Sequence, residues 1–190
     1  MASLEKFMIE RLVFNQIIPK EDAKLYQFGL ECLILKSLHC ISYLLLAACF
    51  HMLPEAIVIG CVLIPLRRNA GGYHARTKTG CYLFSCCYVA LLFFLFSIGI
   101  NEYIWWSAFL LSDAVIFFLC PVENENKQLD EKEVEYYRRK TRLLLMLVNF
   151  ACIALTVFGF QFIGSLLRCA VCGAAPLLIL GKIKKRPFFH

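Results

Sequence analysis

Arg67-Arg68-Asn69-Ala70-Gly71-Gly72-Tyr73-His74-Ala75-Arg76-Thr77-Lys78-Thr79-Gly80-Cys81 is a basic, glycine-rich island between two apolar runs, Pro54 to Leu66 and Tyr82 to Ile100. The contrast between island and flanks decides the fold class. Hydrophobic residues make up 60% of the 190-residue chain and the mean hydropathy is +0.66, above the roughly 45–50% apolar content of soluble domains. Further apolar runs extend over Glu31 to Leu53, Tyr103 to Cys120, Leu143 to Ile163 and Leu166 to Leu180. A bilayer is crossed by about 20 residues of helix, so four of the six runs are long enough. The run from Pro54 and the run from Leu166 are short, and they span only with local thinning or by extending into polar flanks. The pattern predicts an all-α integral membrane protein with about six transmembrane helices.

Lys and Arg concentrate in four segments, with four before Glu31, four in the island, six from Lys127 to Arg142 and four from Lys182 to Arg186. The connectors near Leu53-Pro54, Asn101-Glu102 and Gly164-Ser165 have none. Basic loops remain on the cytoplasmic side, and two apolar runs separate each basic segment from the next. One topology, with both termini and every basic segment in the cytosol, satisfies the whole pattern. The expected organisation is a single polytopic domain over residues 1–190. It comprises an N-terminal segment 1–29, two helices in 30–66, the island 67–81, two helices in 82–120, a basic segment 121–142, two helices in 143–181 and a basic tail 182–190.

Residues 1–29 contain Glu5, Glu10, Glu21 and Asp22 and no continuous apolar stretch, which excludes a secretory signal. Leu4, Phe7, Met8, Arg11, Leu12, Asn15 and Ile18 recur at helical spacing instead. This predicts an amphipathic interfacial helix ending at Pro19, with anionic membrane lipid or a partner as its contact.

Of eleven cysteines, ten lie within apolar runs, where cysteine behaves as a small hydrophobe. The Cys169-x-x-Cys172 pair falls under the same reading. Cys81 is different, because it sits at the edge of the island, where nearby lysine or arginine favours the nucleophilic thiolate. Among the histidines, His39 and His51 are read as interior residues of the first long run and His190 is terminal. Only His74 lies in a segment that water and a cytosolic substrate both reach. On an unbroken helix His74 and Cys81 would be roughly 10 Å apart along the axis, whereas a base works within about 3 Å of its nucleophile. A catalytic pair therefore requires a break in the helix. Gly71, Gly72 and Gly80 supply the conformational freedom for it, and the amides it releases would stabilise an oxyanion. Without that break the two residues are a solvated histidine and a packing cysteine.

Arg67, Gly71-Gly72, His74-Ala75 and Cys81, followed by an apolar helix, resemble the AgrB family of Gram-positive quorum sensing. Cys120-Pro121-Val122-Glu123-Asn124-Glu125-Asn126-Lys127 is similar to the family's segment after its fourth hydrophobic run. The resemblance covers nearly the whole chain, with Tyr73 at a variable position. It implies a membrane cysteine endopeptidase in which Cys81 is the nucleophile and His74 the general base. The implied substrate is an AgrD-like precursor peptide, cut near its C-terminal portion and closed into a thiolactone or lactone. Arg67, Arg68, Arg76 and Lys78 beside the site, with Arg138, Arg139 and Lys140 in another basic loop, would attract the precursor's acidic segment. Their other reading is topology and lipid contact. The resemblance also implies a homodimer, for which Gly159, Gly164, Gly173, Ala174 and Ala175 permit close helix approach.

No cofactor, metal or nucleic acid is expected, since one His and one Cys are too few ligands for structural zinc. Buried ionisable residues are costly and are commonly paired, and Asp113 is expected to pair with Lys36 or Arg168, or less readily to orient His74. The same charges keep open a small transporter or channel component, and the basic face a non-catalytic scaffold.

Overall fold

A computed structural model describes residues 2–73, 75, 77–123 and 129–185. Among these residues the chain is all-helical, with α1 (Ala2–Phe14), α2 (Ala23–Cys49), α3 (Leu53–Ala70), α4 (Lys78–Ser97), α5 (Glu102–Leu119), α6 (Glu131–Val157) and α7 (Gln161–Lys185). A single 3-10 turn, Lys20–Asp22, precedes α2. Five helical segments are long and apolar enough to cross a membrane: Lys20–Cys49, Lys78–Ser97, Glu102–Leu119, Glu131–Val157 and Gln161–Lys184. The short final run thus belongs to a full-length helix, whereas α3 contains Glu55, Arg67 and Arg68 and falls outside this set.

The chain forms two compact units, residues 1–45 and 46–190. In the first, α1 does not continue to Pro19. It ends at Phe14 because Gln16 turns left-handed (φ 55°), and the amides of Gln16 and Ile17 bond back to Val13 and Leu12. This is the hydrogen-bond pattern of a Schellman stop. His39 is half-buried, with Nδ1 2.7 Å from the Leu35 carbonyl one turn earlier in α2.

The same stop recurs twice in the second unit. At the end of α2, His51 has φ 55° and the Met52 amide reaches the Ala47 carbonyl, so His51 is an exposed terminating residue and not an interior one. At the end of α6, Gly159 has φ +87° and the Phe160 amide bonds to Leu155. The last connector therefore lies at 158–160, and the expected break at Gly164-Ser165 is helical.

Helix α7 is the centre of this unit, packed against α3, α5 and α6 with a lighter contact to α4. It serves as a hub because, Arg168 apart, its residues from Leu166 to Leu178 are small or apolar around the full circumference. Cys169, Ala170, Val171, Ala174 and Leu178 are completely buried. A Cβ on Gly164 would come within 2.7 Å of Thr156 Oγ1, and one on Gly173 within 2.9 Å of Leu92. Gly164, Gly173, Ala174 and Ala175 are thus used inside one protomer, while Gly159 faces open space. The outer helix faces expose large apolar side chains such as Phe118, Phe150 and Val157, as a lipid-facing surface does.

The interior polar pairs differ from expectation. Asp113 accepts a hydrogen bond from Asn149 at 2.8 Å. Arg168, 1% exposed, pairs instead with Glu102 at 2.6 Å and stacks on Trp106.

Candidate active site

The island is narrower than its composition implies. Its first four residues complete α3, where Arg67 and Arg68 complement the negative end of the helix. Its last four open α4. The non-helical part is confined to 71–77, and within it His74 and Arg76 lie outside the described residues.

Chain reversal begins at the paired glycines. Gly71 (φ +80°) bonds its amide to the Arg67 carbonyl and forms a parallel bridge with Val122. The Val122 amide in turn reaches the Ala70 carbonyl at 2.8 Å. A Cβ at Gly71 would sit 2.0 Å from the Val122 carbonyl oxygen, so only glycine fits. Gly72 (φ +140°) passes α7, where a Cβ would lie 3.2 Å from the Leu177 carbonyl oxygen. The two glycines therefore carry the loop between the segment after α5 and the flank of α7.

Tyr73 follows, half-buried and held on several sides. Its amide donates to the Leu177 carbonyl at 2.8 Å, and Arg67 Nη2 donates to its carbonyl at 2.7 Å. Its ring lies 4.7 Å from that of Phe84 on α4, and Lys184 Nζ lies 5.7 Å from the ring centroid. Phe84 continues as a stack onto Tyr88, whose hydroxyl donates to the Gly173 carbonyl at 2.6 Å. The sequence marked Tyr73 only as variable. The missed signal was an aromatic residue directly before His74, with a second aromatic on the helix face that starts at Cys81.

The required break is present, but upstream of where Gly80 suggested. Ala75 and Thr77 are non-helical, and Thr77 (φ −111°, ψ 149°) caps α4 by accepting the Gly80 amide on Oγ1 at 3.1 Å. Gly80 is the third residue of the helix and not part of the loop. Because the Gly80 and Cys81 amides are spent on Thr77 Oγ1 and the Thr77 carbonyl, neither is an oxyanion donor. An earlier first-turn amide, that of Thr79, has no intrahelical acceptor by helix geometry. Cys81 occupies the first turn of α4, half-buried. One regular helix through residues 74 and 81 is excluded.

Cys120, just beyond α5, is a useful contrast. It is 2% exposed, and burial pushes its thiol up while Arg142 and Arg138 pull the other way. It packs in the buried core with Leu66, Ile116 and Val122. No described cysteine is in a disulfide, and no described group of His, Cys, Asp and Glu could hold a metal ion.

The basic residues expected to attract substrate divide into two sets. Arg68 and Lys78 are exposed beside the loop. Arg138 Nε donates to the Cys120 carbonyl at 3.4 Å, and Arg142 donates to the Phe117 carbonyl while stacking on that ring, so both cap the C-terminal end of α5. Arg139 pairs with Glu135, and Lys140 lies over Tyr136. Arg138, Arg139 and Arg142 also line an open cavity of about 550 Å³, shared with Glu123, Glu131 and Glu135. Its charge is mixed, so it is not a simple cationic patch.

No curated protein and no solved structure matches the chain. The sequence model of the family described as Accessory gene regulator B matches residues 5–180, across all seven helices and the Gly71–Cys81 loop, and the chain belongs to that family.

Proposed function

We propose that this protein is a membrane cysteine endopeptidase that cuts a small AgrD-like signalling precursor and promotes its cyclisation. Membership of the family points to a membrane protein of accessory gene regulator quorum sensing with a propeptide substrate. The observation that carries the finer reading is the interruption at Ala75 and Thr77, which separates the sequence before it, His74 included, from the helix that begins at Lys78 and carries Cys81. A loop free of helical spacing can return an imidazole to a thiol two helical turns away.

The chemistry then follows from the two groups. His74 takes the Cys81 proton as Sγ bonds to the scissile carbonyl carbon. The charge on the tetrahedral oxygen develops near the positive end of α4, which favours it. Collapse breaks the C–N bond, the leaving amine takes the proton from His74, and the acyl group remains on Cys81 as a thioester. A cysteine or serine side chain of the precursor attacks that thioester, gives up its proton, and releases Cys81 as the ring closes. Thioester and thiolactone have similar bond energies, so the outcome depends on excluding water. A site at the end of a bundle whose outer faces are apolar suits that need.

In this reading the site is on the cytoplasmic side of a six-crossing protein with α3 as the shortest span, which the clustering of Lys and Arg in alternate loops supports. Arg68 and Lys78, exposed beside the loop, are well placed to meet an acidic precursor segment, with Arg76 joining them by its place in the sequence and Arg138, Arg139 and Lys140 contributing at longer range. A homodimer and anionic lipid complete the proposed assembly. Of the charges that keep a transport reading open, Asp113 and Arg168 have partners in Asn149 and Glu102.

The test is co-expression with a candidate precursor, followed by mass measurement of the peptides. Wild type should yield the truncated cyclic product, and Cys81→Ala and His74→Ala should each lower it by at least about 100-fold. Cyclic product from Cys81→Ala at the wild-type level would end the proposal.

A further inference from the structure

We propose that Tyr73 and Gly181 are positioning residues for the reacting pair, through which the C-terminal end of α7 sets where His74 stands relative to Cys81. This rests on the reading of Cys81 as nucleophile and His74 as base.

Tyr73 immediately precedes His74, and the carbonyl of the peptide linking them is the one that Arg67 holds at 2.7 Å. The Tyr73 carbonyl, the last described group before His74, is therefore held from α3. The Tyr73 amide is fixed from α7 at 2.8 Å. Its ring reaches α4 at Phe84, three residues beyond Cys81 and on the same helical face. One residue thus ties together the helix before the loop, the helix carrying the nucleophile and the central helix.

Contact with α7 runs along one stripe. Leu177, Gly181 and Lys184 are four and three residues apart and share a face. Leu177 supplies the carbonyl and Lys184 lies over the ring. Between them, a Cβ on Gly181 would be 2.7 Å from the Gly72 carbonyl carbon and 2.9 Å from the Tyr73 nitrogen. Both are backbone atoms, so even one methyl group requires the loop to move. Displacements near 1 Å can cost about 100-fold in rate when a base must meet its nucleophile.

The test uses the full-length protein in detergent and measures the rate of iodoacetamide reaction at Cys81, located by peptide mapping. The variants are His74→Ala, Tyr73→Ala, Tyr73→Phe, Gly181→Ala and the double variant Tyr73→Ala/His74→Ala. If the imidazole assists the thiol, His74→Ala slows the reaction by about tenfold or more. Tyr73→Ala and Gly181→Ala should then slow it comparably, Tyr73→Phe should recover most of the rate, and the double variant should be no slower than His74→Ala alone. Precursor affinity should be unchanged in Tyr73→Ala while its single-turnover acylation rate falls.

An equal loss on adding Tyr73→Ala to His74→Ala would overturn the positioning role, because Tyr73 would then act without the histidine. A wild-type rate in Tyr73→Ala would overturn it as well. A wild-type rate in His74→Ala would sink the catalytic pair itself, a different result from either. Size-exclusion elution and melting temperature report folding, and should Gly181→Ala aggregate, the Tyr73→Ala and Tyr73→Phe comparison decides alone.

Discussion

Gly71, Gly72 and Gly80 look equivalent in the sequence and are not equivalent in the fold. At Gly71 an added Cβ meets backbone at 2.0 Å and the residue has positive φ. Left-handed backbone alone costs a side-chain-bearing residue roughly 1–2 kcal/mol. Adding the displaced bridge to Val122, Gly71→Ala should destabilise by about 3 kcal/mol or more. Gly80 is helical, and its Cβ would crowd only the Thr77 hydroxyl at 2.8 Å. Gly80→Ala gains about 1 kcal/mol of helix propensity and weakens a cap of similar worth, so it should stay within about 1 kcal/mol of wild type. Thermal unfolding in detergent separates the two, and equal effects would contradict the assignment. Cys81 and His74 were legible as the only thiol and imidazole at the polar edge of an apolar run. Tyr73 was not, because its importance comes from Leu177 and Phe84, distant in sequence from one or both sides of the contact.

At the scale of the element, the site depends on where α4 begins. Thr77 is its cap, accepting the Gly80 amide, and Cys81 follows one turn later. Thr77→Ala should lower stability by about 1 kcal/mol and fray the turn that presents the thiol, reducing precursor processing, while Thr77→Ser should retain both. An unchanged processing rate in Thr77→Ala would show that first-turn order does not matter. Helix existence was readable from apolar runs, but three helix ends were misplaced for one reason. Prolines and small residues at Pro19, Pro54 and Gly164-Ser165 drew the boundaries, whereas the chain stops at Gln16, His51 and Gly159 through the same hydrogen-bond motif. Two of these residues are not glycine, and composition gives no sign that a glutamine or a histidine will adopt a left-handed conformation.

At the largest scale, the decisive feature is α7, central to the unit of residues 46–190, which buries a guanidinium. Arg168 Nη2 reaches Glu102 on α5 at 2.6 Å, while its Nε and Nη1 have no partner. Breaking such a pair from one side is costlier than replacing both members. Glu102 is 63% exposed, which moderates the effect. Glu102→Gln should destabilise by about 1 kcal/mol, and the double variant Glu102→Gln/Arg168→Met should be more stable than the sum of the single changes predicts, by about 1 kcal/mol. Strict additivity in a melting-temperature cycle would show that the pair is not coupled.

The sequence by itself determined the all-helical membrane class and a polar island between two apolar runs, and it singled out Cys81 and His74, whose roles as nucleophile and base the family resemblance implies. Class and island follow from local composition, which acts over a few turns of chain. Only the tertiary structure decided that Gly80 is helical, that Arg67 holds the Tyr73 carbonyl, that Arg168 pairs with Glu102, and that α7 forms the wall behind the loop. The last two depend on which helix faces meet, across 66 residues for Arg168 and Glu102, and the first two on side-chain to backbone bonds only three and six residues apart; neither kind leaves a periodic trace in a single sequence.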